Sequence, residues 1–232
     1  MPIDYSKQSS GGPSGSGSGV NLSKVSLTKA APTVSLRKQG ATVGGELRVN
    51  LNWNARPSGG AATGGGFLKR LAGAGQSSAI DLDLACLYEL VDGTKGVVQA
   101  LGSAFRSRNA GNPIISLDGD DRSGSSTEGE NLRIDLSRLA EIRRILVFTF
   151  IYEGTPNWAG ANGVVTLYPK GAAPIEVRLD ESDPQARTCA IAMLENTGSD
   201  LSVRREVRYI NGSQDELDRA YGWGMKWAPG RK

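Results

Sequence analysis

The segment DLDLACLYEL at residues 81–90 decides the fold class, because apolar side chains recur at every second position along it. Successive side chains of an extended strand point to opposite faces. One face therefore carries Leu82, Leu84, Cys86, Tyr88 and Leu90, and the other carries Asp81, Asp83, Ala85, Leu87 and Glu89. A turn signal, Asp92–Gly93, follows this strand, and GVVQALG then predicts the return strand of a hairpin.

Similar strand patterns recur along the chain. ELRVNLNW at 46–53 alternates strictly, and ILVFTFIY at 145–152 has the continuous apolar character of a central strand. Short strands are also predicted on both sides of the Ala31–Pro32 turn, whereas SRLAEIRR at 137–144 indicates a helical turn. Further strands are predicted at LRIDL, GVVTLY, IEVRL, CAIAML and VRREVRYI. Many short strands separated by turn residues predict an all-β sandwich of two antiparallel sheets.

Two glycine-rich segments divide the rest of the chain. Residues 1–19 end in GGPSGSGSG, which is typical of a flexible tail, and residues 20–232 then form one domain. The segment 57–78 interrupts that domain as an inserted Gly-rich loop. Its apolar-basic island, FLKRL, is either ordinary surface or a mobile docking element for a partner or a membrane surface.

A short helix is predicted near the C-terminus. Ser213 and Glu216 fit a capping box, which places a helix over about residues 214–221. Trp223 and Trp227 follow this helix, and we expect them to pack on the sandwich rather than to form an exposed aromatic surface.

Composition excludes several classes of function. The chain has no histidine, which removes His-based zinc sites and His-dependent catalysis. Cys86 and Cys189 lie far apart without a C-x-x-C motif, which predicts buried, reduced thiols in a cytoplasmic protein. The longest apolar run is far shorter than the ~20 residues of a transmembrane helix. There is no apolar signal core at the N-terminus. The chain also lacks a block of basic residues that would indicate nucleic-acid binding.

The most acidic part of the chain is DGDDRSGSSTEGENLRID at residues 118–135. It holds six acidic and two basic residues in a chain whose formal net charge is +3. Clustered carboxylates on turn-forming residues suit Ca²⁺, which takes six to eight oxygen ligands. The spacing is not that of an EF-hand, and an Asx-rich turn without an ion is the alternative. The metal-ligand candidates are Asp81, Asp83, Asp120, Asp121, Glu128 and Glu130.

The chain resembles the TerD-domain family of bacterial tellurium-resistance and stress proteins, and within it the TerA-type branch. The resemblance covers roughly residues 20–230. It is carried by VNLSK and SLTK at 20–29, WNAR at 53–56, DLDL at 81–84, GDDRSG at 119–124, GENLRIDLS at 129–137, and the ending VRYINGSQDELDRAYGWGMKW. It implies a Ca²⁺-binding β-sandwich without enzymatic activity, in a cytoplasmic stress system near the inner membrane. Its implied partners are other stress-system proteins, and an oligomer is compatible with it.

This sequence departs from the family pattern at three places. The family often has Asp where this chain has Asn54, and a third strand Asp where this chain has Ala85. Its Asp/Gly-rich loop is one residue shorter here. A weakened, single or lost Ca²⁺ site is therefore one expectation. If metal binding is lost, the alternative function is a structural scaffold that works by protein assembly. A carboxylate-dependent hydrolase using Asp120 and Glu130 is the remaining alternative.

Overall fold

The computed structural model describes residues 24–42, 44–54, 80–109, 111–119, 129–154, 156–180 and 183–228. Within these ranges the chain forms twelve strands in two six-stranded sheets, which confirms the predicted all-β sandwich. The predicted tail at 1–19 and the predicted loop at 57–78 lie outside the described residues. None of the helices in those ranges is both long and apolar enough to cross a membrane.

The first sheet contains strands from both halves of the chain. From edge to edge it consists of β1 (Val25–Ser26), β10 (Ile175–Leu179), β9 (Gly163–Pro169), β3 (Glu46–Asn52), β7 (Glu130–Asp135) and β6 (Ile115–Leu117). All neighbouring pairs are antiparallel except β1 and β10, which run parallel.

The second sheet is antiparallel throughout. It consists of β2 (Thr33–Ser35), β12 (Leu201–Ile210), β11 (Thr188–Asn196), β8 (Ile142–Glu153), β4 (Asp81–Leu90) and β5 (Lys95–Val98). The predicted central strand is β8, which pairs with β4 on one side and β11 on the other. Its continuous apolar sequence follows from this position, because both of its faces are covered.

The two faces of β4 follow the predicted alternation. Leu82, Leu84, Cys86, Tyr88 and Leu90 belong to the apolar core between the sheets. The opposite face contributes Ala85 and Leu87 to a second apolar cluster, on the outside of the second sheet. That outer cluster also contains Leu217 and Trp223 from the C-terminal part of the chain. The second sheet is therefore apolar on both faces, which is why every residue of β4 is buried.

The predicted C-terminal helix is α2 (Gln214–Tyr221), and it packs on this outer cluster. Its predicted capping box is present, and the backbone N–H of Ser213 donates to the carboxylate of Glu216 over 3.0 Å. Trp223 is fully buried, and its indole N–H donates to the carbonyl oxygen of Tyr88 over 3.1 Å. Trp227 packs against the same cluster, so the predicted packing of both tryptophans is confirmed.

Two local predictions need correction, and one short helix was not predicted. The segment predicted as a helical turn at 137–144 divides into a 3₁₀ helix, Leu136–Glu141, and the start of β8 at Ile142. The strand predicted for GVVQALG covers only Lys95–Val98, and a 3₁₀ turn follows at Leu101–Ser103. A four-residue helix, α1 (Trp158–Ala161), was not predicted. Its N-cap is Asn157, whose side chain accepts from the backbone N–H of Gly160.

Candidate metal centre

Two candidate carboxylates, Asp81 and Asp83, lie in the N-terminal half of β4. Asp81 is 5% exposed and Asp83 is fully buried. Asp83 pairs with Phe150 of β8, and Ala85 pairs with Phe148, so alternation places Asp83 on the outer face of the sheet. The pairing of β4 with β8 is irregular between Asp81 and Leu82, where a bulge interrupts the ladder. Both carboxylates are thus on a strand, as the sequence predicts.

A third candidate, Glu130, reaches β4 from the other sheet. It is the first residue of β7 and is 3% exposed. Its side chain lies on the same face of β7 as Leu132 and Ile134, which are both in the core. The Oε2 atom of Glu130 accepts a hydrogen bond of 2.6 Å from the backbone N–H of Leu84. The structure therefore brings Glu130 to the residue that follows Asp83.

The position of this hydrogen bond follows from the lengths of the strands. Edge strand β5 pairs only with Cys86–Glu89 of β4, so it does not reach Leu84. The carboxylate of Glu130 accepts from Leu84 in the part of β4 beyond the end of β5. The strand edge and the start of β7 thus meet at one end of the sandwich.

The turn into β7 requires a glycine. Gly129 has a φ of +62°, a left-handed conformation that glycine adopts without steric penalty. A Cβ atom at this position would lie 2.1 Å from the carbonyl oxygen of Leu51. The glycine therefore lets the chain enter β7 against β3 and places Glu130 at the end of the sandwich.

The other three candidates, Asp120, Asp121 and Glu128, lie outside the described residues. Among the residues that the structure does describe, no three acidic, cysteine or histidine side chains form a group that could hold a metal ion. Asp81, Asp83 and Glu130 alone are therefore not a complete centre. Their donor atoms are nevertheless all carboxylate oxygens, which is the chemistry that Ca²⁺ prefers.

Two carboxylates of the acidic stretch at 118–135 have structural roles instead. Both oxygens of Asp118 accept from Nε of Arg133, at 2.7 and 2.8 Å, and Arg133 also donates to Glu46 over 2.6 Å. The hydrogen bond with Asp118 raises the pKa of the Arg133 guanidinium. Asp135 caps the following 3₁₀ helix by accepting from the backbone N–H of Ser137. The local charge excess thus overstates the number of carboxylates available to an ion.

Alternation along β4 places Glu89 on the same strand face as Asp81 and Asp83, but Glu89 belongs to an ion-pair cluster. Its carboxylate accepts from Arg143 over 2.8 Å and from Arg144 over 2.7 Å. Burial raises the pKa of Glu89, but the Arg144 hydrogen bond and the nearby positive charges outweigh burial, so the pKa is lowered. The sequence did not reveal this cluster, because both arginines fall in the segment predicted as a helical turn.

Neither cysteine forms a disulfide, and both are fully buried, as predicted. Cys86 pairs with Val147 on one side of β8, and Cys189 pairs with Thr149 on the other side. Burial raises the pKa of the Cys86 thiol. Neither thiol is therefore placed for metal binding or nucleophilic chemistry.

Comparison with known proteins agrees with this fold and these motifs. No family model matches the chain. It is 46% identical over 213 residues to the tellurium resistance protein TerA of an Alcaligenes species. The aligned part is 92% of this chain but only 60% of the relative's length.

Two solved structures share the fold. A protein of unknown function superposes with a TM-score of 0.51 at 16% identity, covering 78% of this chain and 98% of its own. A homologue of the telluride resistance protein TerD from Streptomyces coelicolor A3(2) superposes with a TM-score of 0.50 at 19% identity. It covers 75% of this chain and 95% of its own. At these identities the structures show a common β-sandwich.

The fold is a β-sandwich of the kind that the homologue of the telluride resistance protein TerD also adopts. The 46% identity to TerA over most of this chain confirms the predicted resemblance to the tellurium-resistance family and its TerA-type branch.

Proposed function

We propose that this protein contributes to tellurium resistance as a non-catalytic, Ca²⁺-binding stress protein that acts through partner proteins. The observation that carries the proposal is the approach of buried Glu130 to the backbone beside buried Asp83. Buried carboxylates at one end of the sandwich supply the oxygen ligands that a hard divalent cation prefers. Asp81, Asp83 and Glu130 would provide part of these ligands. Asp120, Asp121 and Glu128 are the proposed remaining ligands.

The Ca²⁺ part of the proposal is tested by calorimetric titration and thermal melting, with Ca²⁺, with Mg²⁺ and with a chelator. A ligand present at a hundred times its dissociation constant stabilises the folded state by ~2.7 kcal/mol. For a chain of this size that corresponds to a rise in Tm of roughly 5–10 °C. Equal melting in Ca²⁺ and chelator, with no heat of binding, would favour the alternative function, a scaffold that has lost its metal.

Conservative variants test the ligand assignment. Asp83→Asn and Glu130→Gln keep side-chain size, and the glutamine retains an oxygen that can accept from Leu84. Each variant should weaken Ca²⁺ binding at least about tenfold, because affinity depends on the number of charged ligands. Asp118→Asn is the matched control from the same acidic stretch, because its carboxylate is paired with Arg133. Equal effects of all three variants would show a general charge effect rather than a site.

The role in tellurium resistance needs a cellular test. The TerA relative's name supplies the expectation, and the aligned region is only part of that relative. We expect the intact protein, expressed with its stress-system partners in tellurite-sensitive bacteria, to raise the tolerated tellurite concentration. The double variant Asp83→Asn/Glu130→Gln should lower it. A double variant that protects as well as the unaltered protein would separate resistance from Ca²⁺ binding. Cell fractionation in the same strain tests the proposed cytoplasmic, inner-membrane-associated location.

A further inference from the structure

A groove of about 650 Å³ lies at the edge of the second sheet. Its walls come from β5, from the residues after it at 99–108, and from the C-terminal residues 224–228. Small-molecule sites in proteins commonly have volumes of roughly 300–1,000 Å³. The groove is separate from Asp81, Asp83 and Glu130, since none of these three carboxylates lines it.

Among the described residues, three cationic side chains line this groove, those of Lys95, Arg108 and Lys226, and no carboxylate does. In the described part of the chain none of the three forms an ion pair. Lys95 lies opposite Glu89 in the β4–β5 ladder, but the Glu89 carboxylate is held by Arg143 and Arg144. The Lys95 ammonium is fixed at the wall by donating to the carbonyl oxygen of Trp223 over 2.7 Å. The groove is therefore positively charged.

A buried hydroxyl group adds a polar atom to the lining. Tyr88 is 1% exposed, and its hydroxyl oxygen accepts from the backbone N–H of Arg108 over 2.8 Å. A phenol can donate as well as accept, and within the described ranges no protein acceptor takes the Tyr88 proton. Gly96 on the neighbouring strand makes room for the Tyr88 side chain, since a Cβ atom at Gly96 would lie 2.4 Å from the hydroxyl oxygen. The proton is thus available to a ligand.

The remaining wall of the groove is largely apolar. Leu101, Met225 and Trp227 line it beside the cations. The indole N–H of Trp227 donates to the carboxylate of Asp218 over 3.0 Å, which fixes the ring. The groove thus combines a positively charged part with an aromatic and aliphatic part, so a matching ligand has an anionic group and an organic body.

We propose that this groove binds a small organic phosphate. The phosphate group lies among Lys95, Arg108 and Lys226, and the organic body lies against Trp227 and Leu101. A phosphate monoester carries about −1.5 to −2 charges at neutral pH. A ligand with a phosphate group therefore matches the three cations of the groove better than a ligand with one carboxylate group. Arginine also matches the geometry of phosphate oxygens with paired N–H donors. The volume is larger than one inorganic anion requires, which favours a ligand with an organic body.

Calorimetric titration of the full chain at low and at high salt tests this proposal. The probes are adenosine monophosphate, ribose 5-phosphate, inorganic phosphate and adenosine. We expect at least one organic phosphate to bind more tightly than inorganic phosphate, adenosine not to bind, and affinity to fall as salt rises. No binding of either organic phosphate up to about 10 mM, the millimolar limit of weak specific binding, would overturn the proposal. If inorganic phosphate binds as tightly as both organic phosphates, the inference that the ligand has an organic body is wrong.

Matched variants distinguish a site from general electrostatic attraction. Arg108→Glu and Lys226→Glu change exposed groove residues and should each weaken binding at least about tenfold, the loss expected for a charged hydrogen bond. Lys38→Glu makes the same change in net charge at an exposed 3₁₀ helix away from the groove and should leave binding unchanged. An equal loss of binding affinity in Lys38→Glu would overturn the proposal of a specific site in the groove. Tyr88→Phe should weaken binding severalfold without abolishing it, provided that its thermal unfolding remains cooperative.

Discussion

The carboxylate of Asp218 organises the C-terminal segment, and its replacement by asparagine is the sharpest test of this packing. Asp218 lies in α2 and is 3% exposed. One oxygen accepts from the backbone N–H of Gly224 over 2.7 Å. The other accepts from the backbone N–H of Met225 over 2.9 Å and from the indole N–H of Trp227 over 3.0 Å. Three donors thus converge on one buried carboxylate.

Asparagine has nearly the same shape but only one acceptor oxygen. Whichever way its amide turns, its NH₂ group faces at least one N–H donor that the carboxylate accepted. A hydrogen bond to a charged group contributes about 1.5–3 kcal/mol, and a buried donor left without an acceptor adds a further cost. We therefore expect Asp218→Asn to lower the free energy of unfolding by about 3 kcal/mol. The corresponding fall in Tm is roughly 6–12 °C for a chain of this length.

Urea unfolding at pH 7, followed by tryptophan fluorescence, measures this loss. Asp215→Asn is the matched control, because Asp215 lies in the same helix and its ion pair with Arg219 is exposed. Exposed pairs contribute at most about 1 kcal/mol, so the control should lose little. A loss below about 1 kcal/mol in Asp218→Asn, or equal losses in both variants, would refute the inferred role of Asp218.

Three further predictions concern buried groups. The pKa of Glu89 is lowered from its ordinary value of 4.5 in the folded protein. The ionised carboxylate therefore stabilises the fold at pH values above 4.5, and this stabilisation is lost as the pH falls through the lowered pKa. Glu89→Gln should therefore cost about 2–3 kcal/mol at pH 7 and progressively less below pH ~4, as measured by urea unfolding across pH. Gly96→Ala should cost about 1–3 kcal/mol by forcing the Tyr88 hydroxyl aside. Gly119→Ala, whose added Cβ would meet no atom of the described residues within 4 Å, should be neutral in the same urea-unfolding assay. The two buried thiols should react with a thiol reagent only after unfolding, and rapid labelling of the native protein would contradict their burial.

The strands were predictable because one physical signal determines each of them. Alternation in DLDLACLYEL identified β4 and divided its side chains between two faces, and the continuous apolar run identified β8 as a central strand. The capping residues located α2 for an equally local reason. That both faces of β4 pack against apolar layers was harder to predict from the sequence. It depends on α2 and Trp223 covering the outer face, which is a contact between distant parts of the chain.

The errors occur where tertiary contacts override local patterns. The segment 137–144 has helix-forming residues, but Arg143 and Arg144 are drawn into β8, where they pair with Glu89 of the neighbouring strand. The acidic stretch at 118–135 predicts an ion site from its clustered carboxylates and turn-forming residues. Its first and last members, Asp118 and Asp135, bind a guanidinium group and cap a helix, respectively. Neither partner can be identified from composition.

The candidate carboxylates show why alternation alone does not define a site. Alternation places Asp83 and Ala85 on one face of β4, which made position 85 an attractive place for a third ligand. In the structure Ala85 pairs with Phe148 and belongs to the apolar cluster that also holds Trp223, so that part of the face is occupied by packing. Glu130 comes instead from the opposite sheet and accepts from the strand edge at Leu84. An ion shared by these groups would therefore have to lie at the end of the sandwich, where β4 extends beyond β5.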